Sequence, residues 1–443
     1  MLETLRNRHS LWKFVFLAGN IFLLLFIVAL KIPFAFSNFW AEDGVFYQQA
    51  VDNAFLGDFF ISGGGYLIFI SRIVANFVAI GPVDYAPLVN TIIVISVLGF
   101  LTQRLYINLK YLLKSKIYNL LVCLSVLLLP INNFETIASG TALHFQLLFV
   151  VLVMALVARK ESLISNIDTF VIVIALLSDP FTFLALVPLF FRHKYEVIRF
   201  WKKRGGKLTL LTLSLVLQLV MMVLFHLKDD RALGVSHSFA KTGYMFLDRV
   251  VGSTFIPNWG LISNESFVEG KITINLIARA ATGLFCLGYI GIFIVRHLRK
   301  SLVQGEVHTK ETLIWLILMP AFYWFAVGVL FNPEPRYAVF PGLSILLVAL
   351  ILIDHLTCES KSKIRNSVIA CIVLIFTITN WCLSASPSQR RIEGPDWHSQ
   401  IVHGKLECKT LSLDSVLVKI LPIDDHWKIE MQCQVLLGKW GEL

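Results

Sequence analysis

Apolar runs separated by short polar loops set the pattern of this chain. Residues 12–30 form the first run, long enough to cross a hydrocarbon core of about 30 Å and followed by no small-residue cleavage site, so they predict a retained helix. Runs at 88–105, 117–129, 143–158, 208–227, 272–295, 313–331, 338–353 and 368–383 predict further membrane helices. Other stretches are shorter. The 67–80 stretch, which carries Arg72 and Asn76 and stops at Gly81-Pro82, predicts a tilted span or a re-entrant segment. Segments 164–177 and 181–191, broken by Ser178-Asp179-Pro180, predict a hairpin of short helices. Two regions depart from the membrane pattern. Residues 42–55 set Val45, Phe46, Ala50, Val51 and Phe55 at three- and four-residue spacings among Gln48, Gln49, Asp52 and Asn53, which predicts an amphipathic helix lying at an interface. Residues 411–418 and 427–433 alternate apolar with polar, the period of strands, and predict a small β-rich domain at the C-terminus.

Hydrophobic residues make up 56% of the chain and charged residues 15%, with mean hydropathy +0.73. These values turn the runs into an all-α polytopic membrane protein of about ten or eleven transmembrane helices, short broken ones included. The net charge of +10 is no footprint of nucleic acid, because Lys and Arg gather in short loops: Arg6, Arg8 and Lys13, then 104–116, 159–160, 192–207, 296–300 and 361–365. Such an excess marks the inner side of a bilayer. It places the N-terminus inside, residues 1–384 in a membrane domain with a first outer loop at 37–66 and a long one at 228–271, and residues 385–443 outside. Of seven Cys, only Cys408 and Cys433 share a polar segment, and their confinement to one compartment predicts a disulfide that closes the tail domain. No Cys/His zinc spacing and no internal repeat is present.

The same charge-derived topology collects Glu42, Asp43, Glu135, His144, Asp179 and Arg336 on the outer side. For Glu42-Asp43-Gly44 one reading is a helix cap followed by a turn glycine. The other makes one carboxylate the general base for an acceptor hydroxyl, Asp43 before Glu42. An acid pair can also hold a divalent cation on oxygen ligands, although no other metal site is expected. Arg336, followed by Tyr337 and Pro341, either binds a lipid phosphate through its planar fork or snorkels to the headgroups. Arg72 is a second cation, expensive in an apolar segment unless paired or facing a polar cavity. His144 is read as a phosphate ligand or acid, against a structural role at a helix end. Asp179 is read as part of the same pocket, against turn chemistry before Pro180. Trp40, Tyr66, Trp259, Trp397 and Trp427 are either platforms for sugar rings or an interfacial aromatic belt.

The carboxylate pair in the first outer loop, the many helices, the short broken ones and the outer C-terminal domain resemble the GT-C superfamily of membrane glycosyltransferases. More narrowly, Trp40-Ala-Glu-Asp-Gly-Val-Phe46, Gly65-Tyr66 with Arg72, Ser178-Asp-Pro-Phe181, Arg336-Tyr337 with Pro341, and Gly394-Pro-Asp-Trp397 look like landmarks of bacterial proteins of that type, the phage-type serotype-converting O-antigen glucosyltransferases among them. The resemblance implies an undecaprenyl-phosphate-linked hexose donor, an O-antigen or similar surface glycan as acceptor, and transfer on the periplasmic face of the bacterial inner membrane. It implies an acidic base at Glu42 or Asp43, a donor-phosphate role for Arg336, and partners acting upstream, a flippase and a polyprenyl-phosphate glucosyl transferase. Asp179 departs from the pattern, standing where a small residue is expected. Rival readings are an O-antigen polymerase or ligase, and a transporter of lipid-linked glycans. The latter predicts ionisable groups near the bilayer midplane and repeat symmetry.

Overall fold

A computed structural model of the chain describes residues 2–53, 57–61, 65–129, 136–158, 165–203, 205–226, 239–252, 254, 307–330, 335–359, 396–420 and 428–438, with isolated positions within 281–295 and 368–379. The described residues are mostly helical. In order they form α1 (Leu2–Lys31), α2 (Glu42–Asp52), α3 (Phe69–Ala79), α4 (Ala86–Leu109), α5 (Lys116–Leu128), α6 (Leu143–Val157), α7 (Asn166–Ser178), α8 (Thr182–Lys203), α9 (Gly205–His226) and α10 (Phe239–Met245). After these come α11 (Val307–Leu330), α12 (Val339–Glu359), α13 (Trp397–Thr410), the strands β1 (Ser415–Lys419) and β2 (Lys428–Gln432), and α14 (Cys433–Leu436). Among the described residues four segments are long and apolar enough to cross a membrane: Val83–Leu109, Gly206–Phe225, Lys310–Gly328 and Arg336–Thr357. The runs expected at 272–295 and 368–383, and most of the long loop 228–271, lie outside the described residues.

The chain divides into two compact units. The first is Met1–Gln103, Asn133–His144 and Ser386–Leu443; the second is Arg104–Asn132 and Phe145–Ala385. In the second, α6 is buried at every position, as expected of a helix apolar on all sides. By contrast α9 leaves Leu213, Val216, Val220 and Val223 exposed along its length. The α7–α8 break falls where the sequence puts it. Asp179 Oδ1 accepts the Phe181 N–H at 2.7 Å, so the carboxylate caps the turn that Pro180 forces. Three polar ties in this unit join helix ends that the charge pattern assigns to the inner side. The guanidinium of Arg104, near the end of α4, donates to Asp168 in the first turn of α7 at 2.7 and 3.1 Å. Asp354, near the end of α12, accepts the N–H of Ser115 at 3.2 Å just before α5 begins. Arg192 in α8 donates to the Leu156 carbonyl near the end of α6, and to Glu311 and Thr312 near the start of α11, the last two at 3.3 Å.

Within the first unit α3 has eleven residues and so extends only about 16 Å, half of a hydrocarbon core, too short to cross alone. The tail, expected to be β-rich and separate, is built differently. Its two strands pair antiparallel from Ser415 opposite Gln432 to Lys419 opposite Lys428, with Val416, Val418, Ile429 and Met431 turned inward. The fourteen-residue helix α13 precedes them. Asp396 caps it by accepting the Ser399 N–H at 2.9 Å, and Trp397, Ile401, Gly404 and Cys408 form its buried stripe at helical spacing. Gly404 is required there because a Cβ would stand 2.9 Å from Val416 Cγ2. The tail packs on the N-terminal segment of the same unit: the Trp397 backbone N–H donates to the Ser37 carbonyl at 2.9 Å, and its indole N–H to the Val83 carbonyl at 2.7 Å.

Cys408 and Cys433 are joined by a disulfide, with Cα atoms 5.5 Å apart and a sequence separation of 25. It fastens α13 to the end of β2. Replacing both by Ser is expected to lower the stability of the tail by about 3 kcal/mol, from the entropy regained by the unfolded loop. Limited proteolysis of the full chain, comparing cleavage within 396–438 with and without the substitutions, measures that loss.

Candidate functional site

The acidic turn lies in the first unit, at the start of α2. The chain enters this helix through Ala41, whose φ of +37° is rare for a residue with a side chain. No side chain caps the helix. Instead Asp43, in its first turn, turns inward and is 5% exposed. Its Oδ1 accepts the Thr141 N–H at 2.9 Å and the Ser139 hydroxyl at 3.3 Å, while Oδ2 accepts the Gly140 N–H at 3.3 Å. Ser71 of α3 holds the other side of that loop, donating to the Gly140 carbonyl at 2.9 Å. Ala138, at φ +59°, bends the loop toward the carboxylate. Two non-glycine residues in the left-handed region therefore flank one buried carboxylate, a concentration of strain of the kind that surrounding structure must enforce. Glu42, one position earlier, is half-buried and reaches the surface. Gly44, read from the sequence as a turn glycine, is inside α2. Its absent Cβ admits Ile420, whose Cδ1 would lie 2.6 Å away.

Arg72 is placed otherwise than as a phosphate ligand. Its side chain is fully buried and ion-paired at 3.2 Å with Asp58, also fully buried. Gln49 Oε1 and, at 3.3 Å, the Ile61 carbonyl each accept a further N–H, and the Phe46 ring lies 4.0 Å beneath the guanidinium. Asn76, one turn further along α3, donates to the second Asp58 oxygen at 2.6 Å. The physical reason is the one that made Arg72 conspicuous: a cation in an apolar helix needs a counter-charge, and the 57–61 turn supplies it from within the chain. Asp58 is the residue that sequence reasoning missed. The cost of an unpaired Arg72 was its only signal.

The aromatic candidates are mostly core. Trp40 is 6% exposed and Trp397 2%. Trp397 packs edge-on against Phe39 and Tyr47, with centroids 5.0 and 5.9 Å away. Neither has a face to offer a sugar. Tyr66, half-buried, packs on the cluster of Phe46, Ala50, Ile68 and Ala75. His144 is buried in the first turn of α6. Glu135, Trp259 and Trp427 lie outside the described residues.

In the second unit Arg336 sits in the short 3-10 turn Pro335–Ala338 that leads into α12. It is half-buried, with its guanidinium 5.7 Å from the centroid of the Tyr337 ring. Tyr337 is held edge-on against Phe145 at 5.3 Å, so the pair is fixed where the helix begins. Asp179 is buried and serves the turn already described. Among the described residues no three His, Cys, Asp or Glu side chains come together as a metal site. No protein-family model matches the chain, and no curated protein matches it.

Proposed function

We propose that the chain is a polytopic membrane glycosyltransferase that moves a hexose from a polyprenyl-phosphate donor to a cell-surface glycan on the periplasmic face of a bacterial inner membrane. The observation that carries the reading is the acidic turn, in which two adjacent carboxylates have different environments. Asp43 is buried among three donors that fix both of its oxygens, so it serves as an anchor. Glu42 reaches the surface from a helix start that Asp43 holds in place. In this proposal the order expected from the sequence is reversed: Glu42 takes the proton and Asp43 positions it.

The acceptor hydroxyl gives its proton to Glu42 as its oxygen attacks the anomeric carbon. The bond from that carbon to the phosphate oxygen breaks, polyprenyl phosphate leaves with the electron pair, and the configuration inverts. For the donor's phosphate the proposal drops Arg72, whose charge Asp58 already neutralises. The membrane assignment is supported by the four long apolar segments among the described residues, by the exposed aliphatic flank of α9 and by the ties of Arg104, Asp354 and Arg192, each of which joins ends on one charge-assigned side. The tail is then periplasmic, where its disulfide persists.

Purified protein in proteoliposomes, supplied with polyprenyl-phosphate hexose and delipidated surface glycan, is expected to add one hexose to the glycan, read by mass spectrometry. Transfer only from nucleotide sugars, or joining of whole glycan chains from a diphosphate carrier, would refute the reading.

A further inference from the structure

A cavity of about 610 Å³ opens in the first unit between the tail and the α2–α3 pair, and neither Glu42 nor Asp43 lines it. Much of its wall is aliphatic, with Ala79 at the end of α3 on one side and Leu436 of α14 on the other. Its polar groups are few: Tyr47, Asn76, and the ion pair of Asp84 with Lys405. Lys405 Nζ lies 2.7 Å from each Asp84 oxygen, yet the two side chains keep 29% and 25% of their surface accessible. The pair therefore still presents donors and acceptors to whatever enters. Burial, and then the charge of Asp84, push the pKa of the Tyr47 hydroxyl up, so that it remains a neutral donor.

These groups select a ligand class. A lone ammonium would favour an anion and a lone carboxylate a cation. Side by side they cancel, and offer a strong donor next to strong acceptors. A sugar fits this, because each hydroxyl both donates and accepts while the C–H face of the ring is apolar enough to lie on Ala79 and Leu436. A phosphate or a phospholipid headgroup meets the Asp84 charge and is disfavoured. The position along α2 adds the link to chemistry. Tyr47 is five residues after Glu42, the proposed proton acceptor, and about 7.5 Å further along the axis of the same helix. That distance is on the order of one pyranose unit.

We propose that this cavity is the specificity site for the acceptor, binding a neutral sugar unit that neighbours the one to be modified. The role as acceptor site rests on the glycosyl-transfer reading; the binding of a neutral glycan does not. The site makes the protein selective among glycans, since an anionic sugar at that position is repelled by Asp84 and a cationic one by Lys405.

The test uses the full chain in lipid nanodiscs and two probes: neutral oligosaccharides released from the bacterium's own surface glycan, and polyprenyl phosphate. Ala79→Trp fills the aliphatic wall. The double variant Asp84→Leu with Lys405→Met removes the ion pair without stranding either charge. By calorimetry, both variants are expected to weaken oligosaccharide binding at least about tenfold, with binding of polyprenyl phosphate unchanged. No oligosaccharide binding by the unaltered protein, or binding that survives in both variants, overturns the proposal. Loss of polyprenyl phosphate binding instead overturns it too, and gives the cavity to the lipid. Oligosaccharide bound through this cavity by a protein that transfers no hexose leaves the cavity assignment standing and removes the transferase reading. Transfer with an unchanged acceptor KM in both variants does the reverse.

Discussion

Glu42→Gln is expected to slow hexose transfer by about 10²–10⁴-fold, the usual contribution of a positioned base, with the unfolding temperature unchanged. Glutamine has the same shape and keeps one acceptor oxygen, and the position is half-buried at the end of a helix, so little packing is lost. Asp43→Asn is expected to behave differently. Its amide nitrogen must face the N–H of Gly140 or of Thr141, or the Ser139 hydroxyl, setting donor against donor in a buried site. Such a mismatch costs about 1–3 kcal/mol. Stability and turnover should therefore fall together for Asp43 and separately for Glu42. The pH profile gives a second readout: removing the proton acceptor abolishes the rising acid limb of kcat, whereas a misplaced but intact acceptor lowers the rate and leaves the limb. If Glu42→Gln transfers hexose at the normal rate while Asp43→Asn, folded and equally stable, does not, the two roles are exchanged.

Asp58→Ala is expected to destabilise the first unit by about 3–5 kcal/mol, the cost of stranding a buried charge. Arg72 would keep the Gln49 and Ile61 oxygens and the Phe46 ring, none of which carries a full negative charge. Asn76 would lose an acceptor at the same time. Replacing both partners by apolar residues of similar volume, Arg72→Met with Asp58→Leu, is expected to recover most of the loss, because a buried pair is dear to break and cheap to replace. Thermal unfolding of the purified single and double variants in detergent measures both. A single Asp58→Ala variant that melts with the unaltered protein would mean that Arg72 escapes to water.

Local rules carried the sequence reading where one residue decides. Pro180 lacks an N–H and restrains Asp179, so the break between α7 and α8 was visible without a fold. Strand alternation at Val416 and Val418, and at Ile429 and Met431, was equally local. Helix α13 was hidden, since Gly404 resembles a breaker and the exposed Val402 and Leu406 blur the 397–401–404–408 stripe. Pairings across the chain were out of reach. That Asp58 meets Arg72, that Asp84 meets Lys405, and that Trp397 fills a core instead of facing a glycan each depend on segments far apart in sequence coming together. The adjacent carboxylates of the acidic turn were legible, but the different burial of Glu42 and Asp43 was not. It depends on the 138–141 loop, whose link to Asp43 spans almost a hundred residues.

The first unit draws on the beginning of the chain, a short middle segment and the end. Its assembly therefore follows an order set by synthesis. Helix α2 emerges early, but its anchor at 139–141 comes about a hundred residues later, and Trp397, which covers Phe39 and Tyr47, comes after nearly the whole chain has been made. Until the tail has folded back, the acidic turn lacks part of its packing, and contacts of such long separation form slowly. The catalyst so proposed is completed last. A chain truncated before Trp397 therefore leaves Phe39 and Tyr47, on either side of the acidic turn, without that cover.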